Sequence, residues 1–234
     1  SRAYYNDKLG PYMEKITNIF GYDKVLPMNT GVEAGETAIK IARKWGYEVK
    51  NVDKNKATVL FAENNFWGRT ISACSSSTDP TCYENFGPYM KGMEIVPYNN
   101  IVELERKFSS NPNIVAYMLE PIQGEAGVII PYYGYLQQVR NLCTKYNILM
   151  IADEVQTGLG RTGKLLACDY EKVKPDILCL GKALSGGVLP ISAVLANSNV
   201  MDCITPGTHG STFGGNPMAS VVASASLDVI IDED

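Results

Sequence analysis

ILMIADEVQTGLGRTG (148–163) and, shortly after it, DILCLGKALSGG (176–187) decide how this chain is read. Two continuous apolar runs, Ile148–Ala152 and Ile177–Leu180, have the pattern of strands buried on both faces. Such strands belong to parallel sheets covered by helices. Each run ends in charge: Asp153 and Glu154 after the first, Gly181 and Lys182 after the second. Ligands of open parallel sheets bind beyond the carboxyl ends of the strands. The pattern therefore delivers an acid and an amine to one crevice.

The same grammar extends outward. Thr58–Ala62 and Ile114–Leu119 are buried-type strands that end in Glu63 and Glu120. Met93–Val96 and Ile191–Leu195 read as further strands. Helices are expected over Ile101–Phe108, Tyr133–Tyr146 and Met218–Ile231, and around Leu9, Met13, Ile16 and Phe20. This alternation predicts an α/β fold with a mostly parallel central sheet flanked by helices. Four strand ends carry Glu63, Glu120, Asp153 and Lys182, which packing alone explains poorly.

Three loops add chemistry. In NTGVEAGE (29–36), Thr30 and Glu33 form a capping-box pattern. The N–H groups of Gly31 and Val32 then open a helix, a place suited to an anion, and Gly31 lets a phosphate approach closely. A plain capped helix is the other reading. In NFWGRT (65–70), Phe66 is placed to stack on a ring and Arg69 to grip a carboxylate, unless the aromatic only packs under a loop. THGSTFGGNP (208–217) offers a second phosphate contact. GLGRTG (158–163) fits a dinucleotide fingerprint, but no helix opens from it, and LGKA lacks the glycine and hydroxyl of a P-loop.

With 45% hydrophobic and 20% charged residues, the 234-residue chain reads as one large globular domain. At a net charge of −4 there is no basic patch for nucleic acid, and no apolar run has membrane-spanning length. The single histidine, His209, argues against a Ser-His-Asp triad, and no metal-like cluster is evident. Six scattered cysteines point to a reducing compartment, cytoplasmic or, alternatively, the mitochondrial matrix. Cys74 and Cys82 lie in the loop-like SACSSSTDPTC (72–82), where exposure and flexibility permit a redox pair with a thioredoxin-type reductant as partner; two unrelated thiols is the alternative. The chain enters a helix almost at Ser1 and stops within a helical pattern, which suggests truncation at both ends.

An amine at a strand end bonds aldehydes, and a nearby carboxylate keeps a pyridine nitrogen protonated. Pyridoxal 5′-phosphate (PLP) needs that pair from a protein. A structural ion pair between Asp153 and Lys182 is the alternative. Taken together, NTGVEAGE, NFWGRT, EPIQGEAGV (120–128), ADEVQTGLGRTG (152–163), LGKALSGG (180–187) and HGSTFGGNP (209–217) resemble the subgroup III PLP-dependent aminotransferases, nearly throughout the chain. The resemblance implies the large domain of PLP transferase fold type I over residues 1–234, without the N-terminal segment and C-terminal small domain of that family.

The resemblance also implies roles. Lys182 would bond the cofactor and shuttle a proton, and Asp153 would hold the ring nitrogen protonated. Val155 and Phe66 would sandwich the ring, with Gln156 on its phenolic oxygen. Gly31 and Val32 would bind the phosphate, and Thr212 would reach the phosphate of a partner subunit, giving a homodimer. Arg69, Glu120 and Glu125 would line the substrate side. The implied reaction moves the terminal amino group of L-ornithine to 2-oxoglutarate, giving L-glutamate 5-semialdehyde and L-glutamate. That reaction links arginine and ornithine breakdown to proline synthesis. Acetylornithine or 4-aminobutyrate enzymes of the subgroup, or a catalytically silent PLP-binding fragment, are the other readings.

Overall fold

The computed structural model describes residues 4–233; Ser1 and Asp234, on which the reading of cut ends partly rests, lie outside them. In chain order the elements are α1 (Leu9–Phe20), β1 (Lys24–Met28), α2 (Gly31–Glu48), β2 (Thr58–Ala62), α3 (Ile71–Ser75), α4 (Pro80–Tyr83) and β3 (Met93–Val96). They continue with α5 (Ile101–Ser110), β4 (Ile114–Leu119), α6 (Tyr135–Lys145), β5 (Leu149–Asp153), β6 (Ile177–Leu180), β7 (Ser192–Ala196), α7 (Ser198–Met201) and α8 (Pro217–Asp232). Short 3₁₀ turns span Ala167–Glu171 and Lys182–Ser185.

The strands form one sheet in the order β1-β7-β6-β5-β4-β2-β3. From β6 to β3 all neighbours are parallel, while β7 is antiparallel to both β6 and β1. The sheet is thus mostly parallel, as expected. β1 is an addition: its exposed Lys24 and internal Pro27 hide a strand pattern, and Pro27 is tolerated because β1 is an edge.

Period-2 alternation sends side chains to two cores. On β5 and β6, Met150, Ala152, Leu178 and Leu180 face a core built with α1, α5, α6 and α8. Leu149, Ile151, Ile177 and Cys179 face the other, covered by α2 and α7. Burial on both faces is why these strands have no polar side. α2 begins with the expected capping box: Thr30 Oγ1 accepts from Glu33 N–H, and the Glu33 carboxylate accepts from Thr30 N–H at 2.8 Å.

The expected loop at 72–82 is different. It folds into α3 and α4, and Cys74 and Cys82 are buried rather than exposed. Thr70 and Asp79 cap the two short helices, and Pro80 starts the second. Within the stretch Asp79 is a cap, while Ser76 Oγ accepts from Trp67 Nε1 at 2.8 Å and Thr78 Oγ1 from Asn64 N–H at 2.9 Å.

Candidate active site

Because β2, β4, β5 and β6 run parallel, their carboxyl ends share one edge of the sheet. The start of α2 lies at the same edge, since Ser192 Oγ, at the beginning of β7, donates to Thr30 O at 2.6 Å. Local sequence thereby gathers Glu120, Asp153, Lys182 and the α2 N-terminus.

Asp153 ends β5 and is only 6% exposed. Among the described residues, one donor satisfies it: Val155 N–H gives a bond of 3.1 Å to Oδ1. Burial, and then the negative charge of Glu120, push its carboxyl up to about 7. Lys182 opens a 3₁₀ turn at φ +42°, a left-handed backbone uncommon for a residue with a side chain. Its side chain is exposed within a cleft of about 1320 Å³, shared with Gly124, Glu125, Gln156 and Thr157.

Val155 is wedged between two glycines. A Cβ at Gly31 would stand 2.9 Å from Val155 Cγ1, and one at Gly181 would stand 3.1 Å from it. Gly31 is therefore required by the Val155 side chain, a reason the sequence did not show. Gln156 Nε2 donates to Glu125 Oε1 at 3.2 Å, placing both on the cleft wall with Lys182. A Cβ at Gly124 would collide with the Gln156 amide.

Phe66, Trp67, Glu120 and Asp153 surround one small void. The Arg69 guanidinium lies 5.5 Å from the Phe66 ring centre, and Arg69 Nη1 is 3.7 Å from Cys82 Sγ. Glu120 is held by the backbone of two loops. It is buried, and both its oxygens accept backbone N–H groups, from Phe66 at 3.0 Å and Gly124 at 3.1 Å. The side chain of Glu63 is exposed; that strand end joins the site only through its carbonyl, which accepts from Gln123 Nε2 at 2.7 Å.

Thr212 is exposed on a segment pinned at two points. Asn29 Nδ2 donates to Ser211 Oγ at 2.9 Å, and the His209 ring lies 2.8 Å from both Thr37 Oγ1 and Lys40 Nζ. Sequence reasoning passed over Glu154. Its buried carboxylate accepts from Thr157 Oγ1 and from the N–H groups of Ala167 (3.1 Å) and Cys168 (2.8 Å), closing the 157–166 loop. The only signal for it was a second acid directly after Asp153.

The residues present fit PLP. A buried, half-satisfied carboxylate invites a cation such as a protonated pyridine nitrogen. The α2 N-terminus supplies N–H donors for a phosphate. Lys182 projects into the cleft that it shares with Gly124, Glu125, Gln156 and Thr157. Among the described residues no cluster is suited to a metal ion, and no helix is long and apolar enough to cross a membrane.

Comparison with known proteins agrees with this geometry. The class-III aminotransferase family model matches residues 1–234. The mitochondrial ornithine aminotransferase of Drosophila melanogaster is 64% identical over 233 residues, covering 100% of this chain and 54% of that protein. A crystal structure of ornithine aminotransferase from Toxoplasma gondii ME49 superposes with a TM-score of 0.98 at 56% identity, covering 99% of this chain and 55% of that one. A structure concerned with redox regulation of Plasmodium falciparum ornithine delta-aminotransferase superposes at 0.88 with 50% identity, covering 100% of this chain and 55% of that one. The chain spans about half the length of the curated relatives it matches.

Proposed function

The chain belongs to the class-III aminotransferases, and we propose that it is the cofactor-binding part of an ornithine δ-aminotransferase that uses PLP. The reaction is L-ornithine plus 2-oxoglutarate to L-glutamate 5-semialdehyde plus L-glutamate. The observation that carries the reading is the pairing of buried Asp153 with Lys182 at the ends of adjacent parallel strands β5 and β6.

PLP, when bound, supplies an aldehyde for amines and a ring that accepts an electron pair from the substrate carbon. Lys182 Nζ is the amine that would hold it and afterwards carry the proton at the substrate carbon. Asp153 Oδ2 would keep the ring nitrogen protonated. Gly31 and Val32 N–H would bind the phosphate. Val155 and Phe66 would fix the ring plane, and Gln156 would orient its phenolic oxygen. Arg69 would hold the substrate's far carboxylate, and Glu125 would face the end nearer the cofactor.

A homodimer is part of the proposal, with exposed Thr212 reaching the partner subunit's site. A thioredoxin-type reductant acting on Cys74 and Cys82 is a further part; Cys74 Sγ donates to Cys82 O at 3.0 Å, so the two cysteines are neighbours. We assign the chain to a reducing compartment, and the fly relative's mitochondrial name favours the matrix over the cytosol.

The test is an absorption spectrum before and after borohydride, with turnover of ornithine and 2-oxoglutarate by the full-length chain. A visible band bleached by borohydride, with semialdehyde formed, is expected. Turnover of N-acetylornithine in place of ornithine would reassign the substrate. A colourless, inactive protein would defeat the reading.

A further inference from the structure

We propose that Glu120 is a positioning residue that ties the Phe66 loop to the Glu125 turn, and thereby sets how the site chooses between its two amine substrates. The inference rests on the aminotransferase reading above.

Its two carboxylate oxygens are divided between different segments. Oε1 accepts from Phe66 N–H at 3.0 Å, in the loop after β2. Oε2 accepts from Gly124 N–H at 3.1 Å, in the turn after β4. One side chain thus bridges two loops across the sheet edge. Each loop carries a residue that the reading above assigns to the substrate, Arg69 in one and Glu125 in the other. Arg69 stands three residues beyond Phe66 and lies over its ring. Glu125 follows Gly124 and holds Gln156. The spacing of these groups depends on the bridge between them.

The bridge itself is anchored. Tyr98 Oη donates to the carbonyls of Glu120 (3.1 Å) and Pro121 (3.0 Å), and the Tyr98 ring packs edge-on against Tyr135. Glu120 therefore cannot follow either loop if that loop moves. The chemistry also requires a carboxylate. Both partners are N–H donors, and a glutamine would turn its own NH₂ toward one of them. Burying a charge here is costly. The two N–H bonds and the nearby positive charge of Lys182 offset part of that cost, and burial still holds the carboxyl above its ordinary range.

In the full-length holoenzyme, Glu120→Gln is to be compared with the unmodified protein. The readouts are residue-resolved amide hydrogen exchange and the half-reaction rates for ornithine and glutamate. We expect exchange at the Phe66 or Gly124 amide to rise about tenfold or more, with the β5 amides unchanged. The glutamate-to-ornithine rate ratio should also rise, by about tenfold, because a loosened turn no longer holds Glu125 in place. Glu120→Asp keeps the charge but reaches one methylene less far, so it should move both readouts in the same direction by smaller factors. Unchanged protection of both amides overturns the proposal. So does an equal loss in both half-reactions, which would mark general loosening, or unfolding of both variants, which would assign the carboxylate to the core. If the unmodified enzyme fails to turn over ornithine, the proposed function falls, and the amide exchange still decides whether the tie exists.

Discussion

At the residue scale, the proposed chemistry rests on two side chains at neighbouring strand ends, and each gives a prediction. Lys182 occupies a strained backbone position that its turn holds in place, as functional residues often do. Lys182→Ala is expected to lose the visible band of the bound cofactor; a band that persists and still bleaches with borohydride would assign the bond to another lysine. Asp153→Asn should retain PLP while slowing transamination by orders of magnitude, since an amide supplies no charge to the ring nitrogen. Near-normal turnover would remove Asp153 from the mechanism. The same carboxyl has a signature without cofactor. It is held up to about 7 in the fold, against 3.8 as its ordinary value. A raised carboxyl contributes stability that is full below the ordinary value and is lost as pH rises through the folded one. The cofactor-free chain should therefore lose stability between about pH 4 and pH 7, by up to about 1.4 kcal/mol per pH unit from this group. Asp153→Asn should flatten that slope in urea unfolding, and an equal slope in both proteins would show that Asp153 is already ionised in the fold.

At the element scale, the first turn of α2 and the α3–α4 pair are the devices to probe. Thr30→Ala removes one half of the capping box and should cost about 1 kcal/mol. It should also weaken PLP retention, because the amides of Gly31 and Val32 lose their fixed direction. Urea unfolding reads the first effect and equilibrium dialysis the second. Lower stability with undiminished retention would mean that α2 starts with a cap and no anion site. The helices α3 and α4 bring Cys74 and Cys82 together under cover. Oxidation of the full-length protein should remove both thiols together, change activity, and be reversed by a thioredoxin-type reductant. Equal thiol counts and equal activity in oxidised and reduced samples would dismiss the pair. Burial makes this a slower event than a loop pair would allow, since a helix turn must open first.

At the scale of the whole molecule, the proposed reaction requires one cleft to accept two amines that differ in where their carboxylate lies. Ornithine offers its terminal amine with the carboxylate far away, whereas glutamate offers an α-amine with a carboxylate adjacent. Glu125 stands on the cleft wall with Lys182; on the proposed reading its negative charge there would disfavour an adjacent substrate carboxylate, and so α-amines. In the full-length chain, Glu125→Ala should raise the half-reaction rate of glutamate relative to ornithine. An unchanged ratio would place specificity with Arg69 or with residues outside this sequence.

The apolar runs ending in Asp153, Lys182 and Glu120 were enough, by themselves, to determine a mostly parallel sheet with a polar carboxyl edge. Strand burial and strand ends are local properties, and the capping box at Thr30 is equally local. The named motifs carried the family for the same reason. What the sequence left undecided depends on partners distant along the chain. β1 counts as a strand only because β7 runs antiparallel beside it. The serine-rich stretch holds buried cysteines because α3 and α4 pack together. Gly31 is glycine because Val155, more than a hundred residues later, fills the space of a Cβ. The two backbone N–H groups that Glu120 accepts come from loops far apart in the chain, so the resemblance that put Glu120 on the substrate side gave no sign of them.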